Sequence, residues 1–305
     1  MNTPIWQKYQ APIALFSLLI SCFVLLLSFS RENKQTKGDV YDLPQVVRPP
    51  KIKSSLSFAG EAIHMNIDIK ERMERDLITN SYFHTSTVMA IKNAPRYFPM
   101  IETILAEKGI PDDFKYLCVA ESNLTNATSP ANAKGFWQFL KGTALDYGLE
   151  VNTEVEERFN VEKSTRAACS YLKTLYNQTG SWVNAAAAYN IGIGNFQKTA
   201  LSQGEKNYFD MNLNEETSRY VFRIMAIKEI LSNPEAFGYY VDEDQRYTPL
   251  ENYREEIVSQ TILNLGEFAR QNRISYRLLK YYNPWLIDNK LTVTGGKSYK
   301  IKIPN

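Results

Sequence analysis

The chain has 305 residues, 44% of them hydrophobic and 22% charged, with a formal net charge of +2. That length supports one large or two modest domains with a proper core, and the balance is that of a folded protein. The small net charge gives no strong pull toward nucleic acid, and with only two histidines, His64 and His84, neither a zinc site nor a Ser-His-Asp triad is easily built.

Residues Ala11 to Phe29 carry no charged side chain, and Ile13 to Leu27 are nearly all apolar, about the length needed to cross a bilayer. An uncleaved N-terminal membrane anchor over residues 1–30 is therefore expected. The tetrad Leu19-Ile20-Ser21-Cys22 resembles a lipoprotein processing site, so lipidation of Cys22 is the alternative. Lys8 before the run, and Arg31, Lys34 and Lys37 after it, orient the anchor poorly. Residues 31–57 are polar, with Pro44 and the pair Pro49-Pro50, and read as a tether.

From about Glu61 to Glu107 the pattern is helical. Ile63, Ile67, Met73, Leu77 and Ile78 suggest one amphipathic helix, Val88 to Ala94 a second, and Met100, Ile104 and Leu105 a third beyond Pro95 and Pro99. Pro111 then suits a first helical turn, with Asp112 and Asp113 at the positive end of the dipole. Phe114, Leu117, Cys118 and Glu121 fall at i, i+3, i+4 and i+7, on one helix face. A stripe that packs inward thus ends in a carboxyl where the helix breaks at Ser122-Asn123. Partial desolvation there favours the protonated acid, the state a general acid needs near neutral pH. A surface glutamate on a helix end is the ordinary alternative.

Further on, Thr143 to Gly148 reads as a short helix and Thr165 to Tyr176 as a longer one. Ala185 to Ala188 offer a face almost without side-chain bulk, against which another helix can come close. That helix is expected to stop at Tyr189-Asn190, broken by Gly192 and Gly194. Asn214, Glu215 and Glu216 make a helix start, and Tyr220, Val221, Ile224, Ile227 and Leu231 continue its inner face. Beyond Gly238 the composition shifts. The order strand (257–262), helix (265–271), helix (276–281), strand (298–303) suggests a small separate domain, its last strand alternating through Tyr299-Lys300-Ile301-Lys302-Ile303. Cys118 and Cys169 sit among apolar residues as expected free thiols, although the sequence leaves a disulfide between them open.

Glu121-Ser122, Gly135-Phe136-Trp137-Gln138-Phe139, Ala188-Tyr189-Asn190-x-Gly192 and Glu216-Thr217-x-x-Tyr220-Val221 occur in that order. Together they resemble the lytic transglycosylases of glycoside hydrolase family 23, of the membrane-bound murein transglycosylase D type, over roughly Phe98 to Leu231. The resemblance implies a mainly α, lysozyme-like catalytic domain with a groove for peptidoglycan glycan strands. It implies Glu121 as sole catalytic acid/base, with Ser122 and Gln138 binding or orienting substrate, and Tyr189, Asn190 and Tyr220 lining the cleft. It also implies substrate-assisted cleavage between N-acetylmuramic acid and N-acetylglucosamine, leaving a 1,6-anhydromuramoyl end. No cofactor and no metal are expected, in keeping with the scarcity of histidine. Phe136-Trp137 departs from the commoner Gly-Leu-Met-Gln pattern and leaves the glutamine in place.

Leu265-Gly266-Glu267-Phe268-Ala269, Leu278 to Pro284 and Tyr299 to Pro304 resemble a LysM module, a small βααβ unit that binds N-acetylglucosamine-containing glycans. The usual Gly-Asp-Thr opening is absent, which leaves glycan binding or a structural role open. The expected organisation is therefore an anchor (1–30), a linker (31–57), a lysozyme-like transglycosylase domain (58–240) and a LysM-like domain (241–305). An extracytoplasmic substrate implies a body on the periplasmic side of a bacterial envelope. A hydrolytic muramidase, or a non-catalytic peptidoglycan-binding scaffold, are the rival readings. No second carboxylate stands at a convincing position, Asp146 and Glu150 being unmarked candidates.

Overall fold

Helix dominates residues 49–305, the part of the chain that the computed structural model describes. The expected anchor and most of the expected linker lie outside the described residues. Among the described residues no helix is long and apolar enough to cross a membrane.

Two short strands, β1 (Leu56–Phe58) and β2 (Glu61–Ile63), form an antiparallel hairpin. Its turn places Ala59 and Gly60 at φ of 52° and 83°, the left-handed pair that fits the twist of a two-residue hairpin. The sequence assigned Ile63 to a helix. Instead Asn66 caps helix α1 (Ile67–Ser81), its side chain accepting from the Ile69 N–H at 2.8 Å, and Ile63 is left to the strand. Asp113 pins the hairpin by accepting from the Ala59 N–H and from Lys228 Nζ, both at 2.7 Å.

Helix α2 (His84–Lys108) runs unbroken through Pro95 and Pro99, where the sequence suggested two helices. The two prolines stand four residues apart, on one side of the helix, with Pro99 exposed and Pro95 half-buried, so the lost backbone bonds do not interrupt the buried face. Then follow α3 (Phe114–Ser122), α4 (Lys141–Asp146), α5 (Val161–Thr179), α6 (Trp182–Ile191), α7 (Ile193–Gln203) and α8 (Glu215–Ser232). Helix α7 was not expected. Gly192, at φ 83° and ψ 140°, turns the chain and serves as its N-cap, while Gly194 lies inside it without breaking it.

The main core forms where α8 meets α1, α3 and α6, while α5 packs on α2 and α6. Ala185 to Ala188 are completely buried, and their small side chains let α5 and α8 come close to α6. Asp76 on α1, also completely buried, accepts from Arg219 on α8 at 2.8 Å and 3.0 Å and fixes the two helices against each other.

A second core gathers around β3 (Tyr253–Val258), α9 (Leu265–Gln271), α10 (Tyr276–Tyr282) and β4 (Tyr299–Pro304), in the expected order. Strands β3 and β4 pair antiparallel, with Val258 opposite Tyr299. The first strand lies earlier than its expected span of 257–262, because residues 253–258 provide the register opposite β4.

This core also takes in Val155, from the segment between α4 and α5. Val155 bridges to Leu286, the Glu156 N–H donates to Trp285 O at 2.8 Å, and the Ile287 N–H donates to Glu154 O at 2.9 Å. Glu154 accepts from Thr292, and Glu150 accepts from the Tyr299 hydroxyl. The C-terminal unit is therefore joined to the helical body by backbone pairing as well as by side chains.

Three residues further on, Arg158 makes a doubly bonded ion pair with Glu156, both at 2.7 Å, and donates to the carbonyls of Asn132 and Phe139 at 3.1 Å and 2.9 Å. Gly135 passes so close that a Cβ there would lie 1.9 Å from Arg158 O, at a φ of 79°. Replacement of Gly135 by Ala is expected to destabilise the fold by roughly 2–4 kcal/mol through overpacking and backbone strain, lowering Tm by about 5–10 °C. A thermal melt of Gly135→Ala at the wild-type Tm would show that this loop can move away from Arg158.

Candidate active site

Glu121 occupies the last turn of α3. The helix ends abruptly because Asn123 and Leu124 both adopt left-handed backbone, φ 53° and 56°. The Asn123 N–H donates to Val119 O at 2.8 Å, and its side chain reaches Ser86 O at 3.0 Å, which ties the helix end to the start of α2. The rest of the stripe behaves as the spacing predicts: Phe114, Leu117 and Cys118 are completely buried, while Glu121 is half-buried.

The acid faces a cavity of about 330 Å³ between α3, the α1–α2 junction and α8. Apart from Glu121 and Arg223 its walls are largely apolar, with Phe83, Ala90, Val119 and Ile227 among them. A neighbouring hollow of about 510 Å³ shares Phe83, Ser86 and Asn123 with it and extends toward Tyr82 and His84. Phe83, 58% exposed, stands where the two meet.

The Tyr220 hydroxyl, on α8, donates to Glu121 Oε1. The Glu121 carboxyl is pushed up from 4.5 to about 7, chiefly by burial and with a smaller push from Glu216, against the hydrogen bond from Tyr220 and the charge of Arg223, which lower it. Desolvation wins because the carboxyl exchanges most of its water for a single phenol. The same burial, with the nearby Glu121 charge, holds the phenols of Tyr220 and Tyr189 well above their ordinary value. Both therefore act as O–H donors across the working pH range.

Of the expected site residues, Tyr220 meets Glu121 directly and Tyr189 lies within reach of its charge. Tyr189 directs its hydroxyl to Trp137 O at 2.7 Å, in the Gly135–Phe139 segment. Trp137 is completely buried, its indole N–H donating to Thr165 Oγ1 at 2.9 Å, and this anchors the segment on α5.

Ser122 lines the cavity, with its hydroxyl donating back to Cys118 O at 3.2 Å. Gln138 and Asn190 make no hydrogen bond to the acid among the described residues. The Gln138 amide donates to Ala127 O and Gly135 O at 3.1 Å and 2.9 Å, holding its own loop at a φ of 47°. Asn190 accepts from Thr217 Oγ1 at 2.8 Å and donates to Glu216 at 3.4 Å. The unmarked Glu150 faces the C-terminal unit through Tyr299 and Lys297.

Sequence reasoning missed Arg223. The signal was available: Glu216, Tyr220 and Arg223 stand at i, i+4 and i+7 of α8, the same spacing that marked the Glu121 stripe. Cys118 and Cys169 are both buried, free thiols, so the disulfide left open by the sequence is not formed. Among the described residues no cluster of three or more His, Cys, Asp or Glu is placed to hold a metal ion.

Residues 99–212 match the family model for the transglycosylase SLT domain, and residues 254–305 match that for the soluble lytic transglycosylase C-terminal LysM-like domain. The chain thus carries a mainly helical SLT transglycosylase domain followed by a LysM-like domain. Among known proteins it is 31% identical, over 192 residues, to the membrane-bound lytic murein transglycosylase D of two strains of Escherichia coli. That alignment covers 60% of this chain and 42% of the relatives, so the chain spans under half of their length. The structure of an inactive mutant of the lytic transglycosylase Slt from Pseudomonas aeruginosa aligns over 50% of this chain and 26% of that one, at 19% identity and a TM-score of 0.35. Glu121, Ser122, Gln138, Tyr189 and Asn190 lie inside the SLT match, whereas Tyr220 and Arg223 come after it.

The acid leaves a signature in stability. A carboxyl raised in the folded state holds its proton more tightly there than in the unfolded chain. The stability it contributes is complete below pH 4.5 and is lost as the pH rises to about 7. Between about pH 5 and pH 8 the wild type should therefore lose roughly 2–3 kcal/mol relative to Glu121→Gln. Urea melts of both proteins at the two pH values measure this, and a constant difference would mean an ordinary carboxyl at position 121.

Proposed function

We propose that the protein is a peptidoglycan lytic transglycosylase in which Glu121 is the sole acid/base. The observation that carries this reading is a carboxyl raised to about 7, bonded to Tyr220, at a helix end facing a cavity, within the residues that match the SLT domain. Near neutral pH such a group is substantially protonated and can donate to a glycosidic oxygen, and it also regains a proton readily.

In the proposed reaction Glu121 gives its proton to the oxygen between N-acetylmuramic acid and N-acetylglucosamine, and the C1–O bond breaks. The carbonyl oxygen of the muramic acid acetamido group closes on C1, taking the place of the second carboxylate of a two-acid enzyme. Glu121, now a carboxylate, removes the proton from O6 of the same sugar. O6 then bonds to C1 and releases the acetamido oxygen, which yields the 1,6-anhydro end and restores the acid without a water molecule.

Tyr220 orients the carboxyl, and Tyr189 supports the Gly135–Phe139 wall of the cleft through Trp137 O. Ser122, Gln138 and Asn190 serve substrate binding in this scheme, which requires Gln138 and Asn190 to exchange part of their present bonds for substrate. The name of the Escherichia coli relatives supports murein as the substrate class and a membrane-bound existence in the bacterial envelope. An N-terminal anchor with the body in the periplasm agrees with both. The proposed division places the catalytic domain at 58–240 and the LysM-like domain at 241–305, bearing on the same glycan.

Mass spectrometry of fragments released from purified peptidoglycan by the full chain, beside Glu121→Gln, tests the reading. Anhydromuramic ends from the wild type, reduced at least 10³-fold in the variant, are expected. Reducing muramic ends would mean that water attacks, and would point to Glu216, whose charge reaches Glu121, as a second carboxylate. Absence of fragments from the wild type would favour a glycan-binding role.

A further inference from the structure

Arg223 stands one turn beyond Tyr220 on α8, and its guanidinium lies 5.4 Å from the centre of the Tyr220 ring. It lines the same cavity as Glu121, and among the described residues these two are the only charged side chains that do so. Its Nε is buried and has no hydrogen-bond partner. A buried guanidinium N–H without an acceptor is uncommon, since an arginine stays charged and its donors are normally satisfied.

We propose that Arg223 is a positioning residue that holds the Glu121–Tyr220 pair in register and supplies the counter-charge each time Glu121 becomes a carboxylate. The inference rests on the reading of Glu121 as the acid/base. The cation over the ring withdraws density from the phenol and strengthens its O–H as a donor to the carboxyl. When the proton leaves for the glycosidic oxygen, the charge appearing on Glu121 meets the fixed positive charge of Arg223, the one other charged side chain that lines the cavity among the described residues. Without Arg223 the carboxylate would keep its bond from Tyr220, but the remaining charge bearing on it would be that of Glu216, which opposes it. When the O6 proton returns, the interaction relaxes and the cycle closes.

The groups that bear on Glu121 can be named from each side. Its own helix brings Cys118, α6 brings Tyr189, and α8 brings Glu216, Tyr220 and Arg223. The α1–α2 wall of the cavity contributes Asn80, Phe83, Ser86, Thr87 and Ala90, none of which titrates. Arg223 is therefore the cation of this set. The apolar walls around it, Ile227 and Ile230 on its own helix and Val119 opposite, keep the interaction poorly screened.

Two measurements on the full chain test this. Profiles of kcat/KM against pH, taken by release of anhydromuropeptides, compare wild type with Arg223→Gln and Arg223→Lys. Glu121 must be protonated to act, so activity falls as pH rises through its pKa. Loss of the counter-charge should move that alkaline limb upward by roughly half to one pH unit and lower kcat by about two- to threefold, because a weaker acid donates more slowly. Arg223→Lys should restore the position of the limb. A limb that stays in place in Arg223→Gln overturns the proposal.

The second measurement does not depend on turnover. Urea melts of wild type, Glu121→Gln, Arg223→Gln and the double variant form a cycle at about pH 5 and about pH 8.5. A coupling between the two positions that appears only at the higher pH supports the proposal, and a coupling equal at both pH values overturns it. If the wild type releases no anhydro product, the enzymatic reading fails by itself, and the cycle still decides the role of Arg223.

Discussion

A doubly bonded ion pair between Glu156 and Arg158, each 2% exposed, joins the parts of this molecule that matter to its site. Burial pushes the Glu156 carboxyl up, but the bonds and charge of Arg158, aided by Lys134, outweigh it and hold it below its ordinary value. Such a pair is costly to desolvate and is kept only where its remaining donors are satisfied. Here they are satisfied by the carbonyls of Asn132 and Phe139, which bracket the Gly-Phe-Trp-Gln wall. On its other side the same segment pairs with the chain at Trp285 and Leu286. The C-terminal unit is thus part of what holds the Gly-Phe-Trp-Gln wall, rather than a module on a free tether.

Burial and nearby charge oppose each other at Glu121 as well, with the opposite outcome. There the carboxyl has one bond, from Tyr220, and a cation beyond it, against Glu156 with two bonds from Arg158 and a second cation, Lys134, at 3.3 Å. Desolvation prevails at Glu121 and ion pairing prevails at Glu156. Two glutamates of one fold therefore sit on opposite sides of the ordinary value, and the number of donors touching each decides which.

Much of this was legible in the sequence. The Glu121 stripe, the helix start at Asn214, the alanine face of α6 and the βααβ order all follow from spacing and capping, which are local properties. What escaped was decided by distant partners. Ile63 reads as helical until Leu56 is seen opposite it, and Pro95 and Pro99 read as breaks until both are seen to lie off the buried face. The first strand of the C-terminal unit reads four residues late in the sequence because only its pairing with β4 fixes its register. In the site, Glu121 and Tyr220 could be named, but their direct bond could not, because the two residues are 99 positions apart. The present bonding of Gln138 and Asn190 was equally out of reach.

The two buried thiols have a consequence for the conditions this body can withstand. Thiolate, not thiol, reacts with oxidants and disulfides. Burial pushes Cys169 up to about 12 and Cys118 well above its ordinary value, with the Glu121 charge adding to the latter. Neither presents a reactive sulfur near neutral pH, and neither is cross-linked. The helical body is therefore indifferent to redox poise: it needs no oxidant to complete its fold and offers no ready thiol for an oxidant to attack.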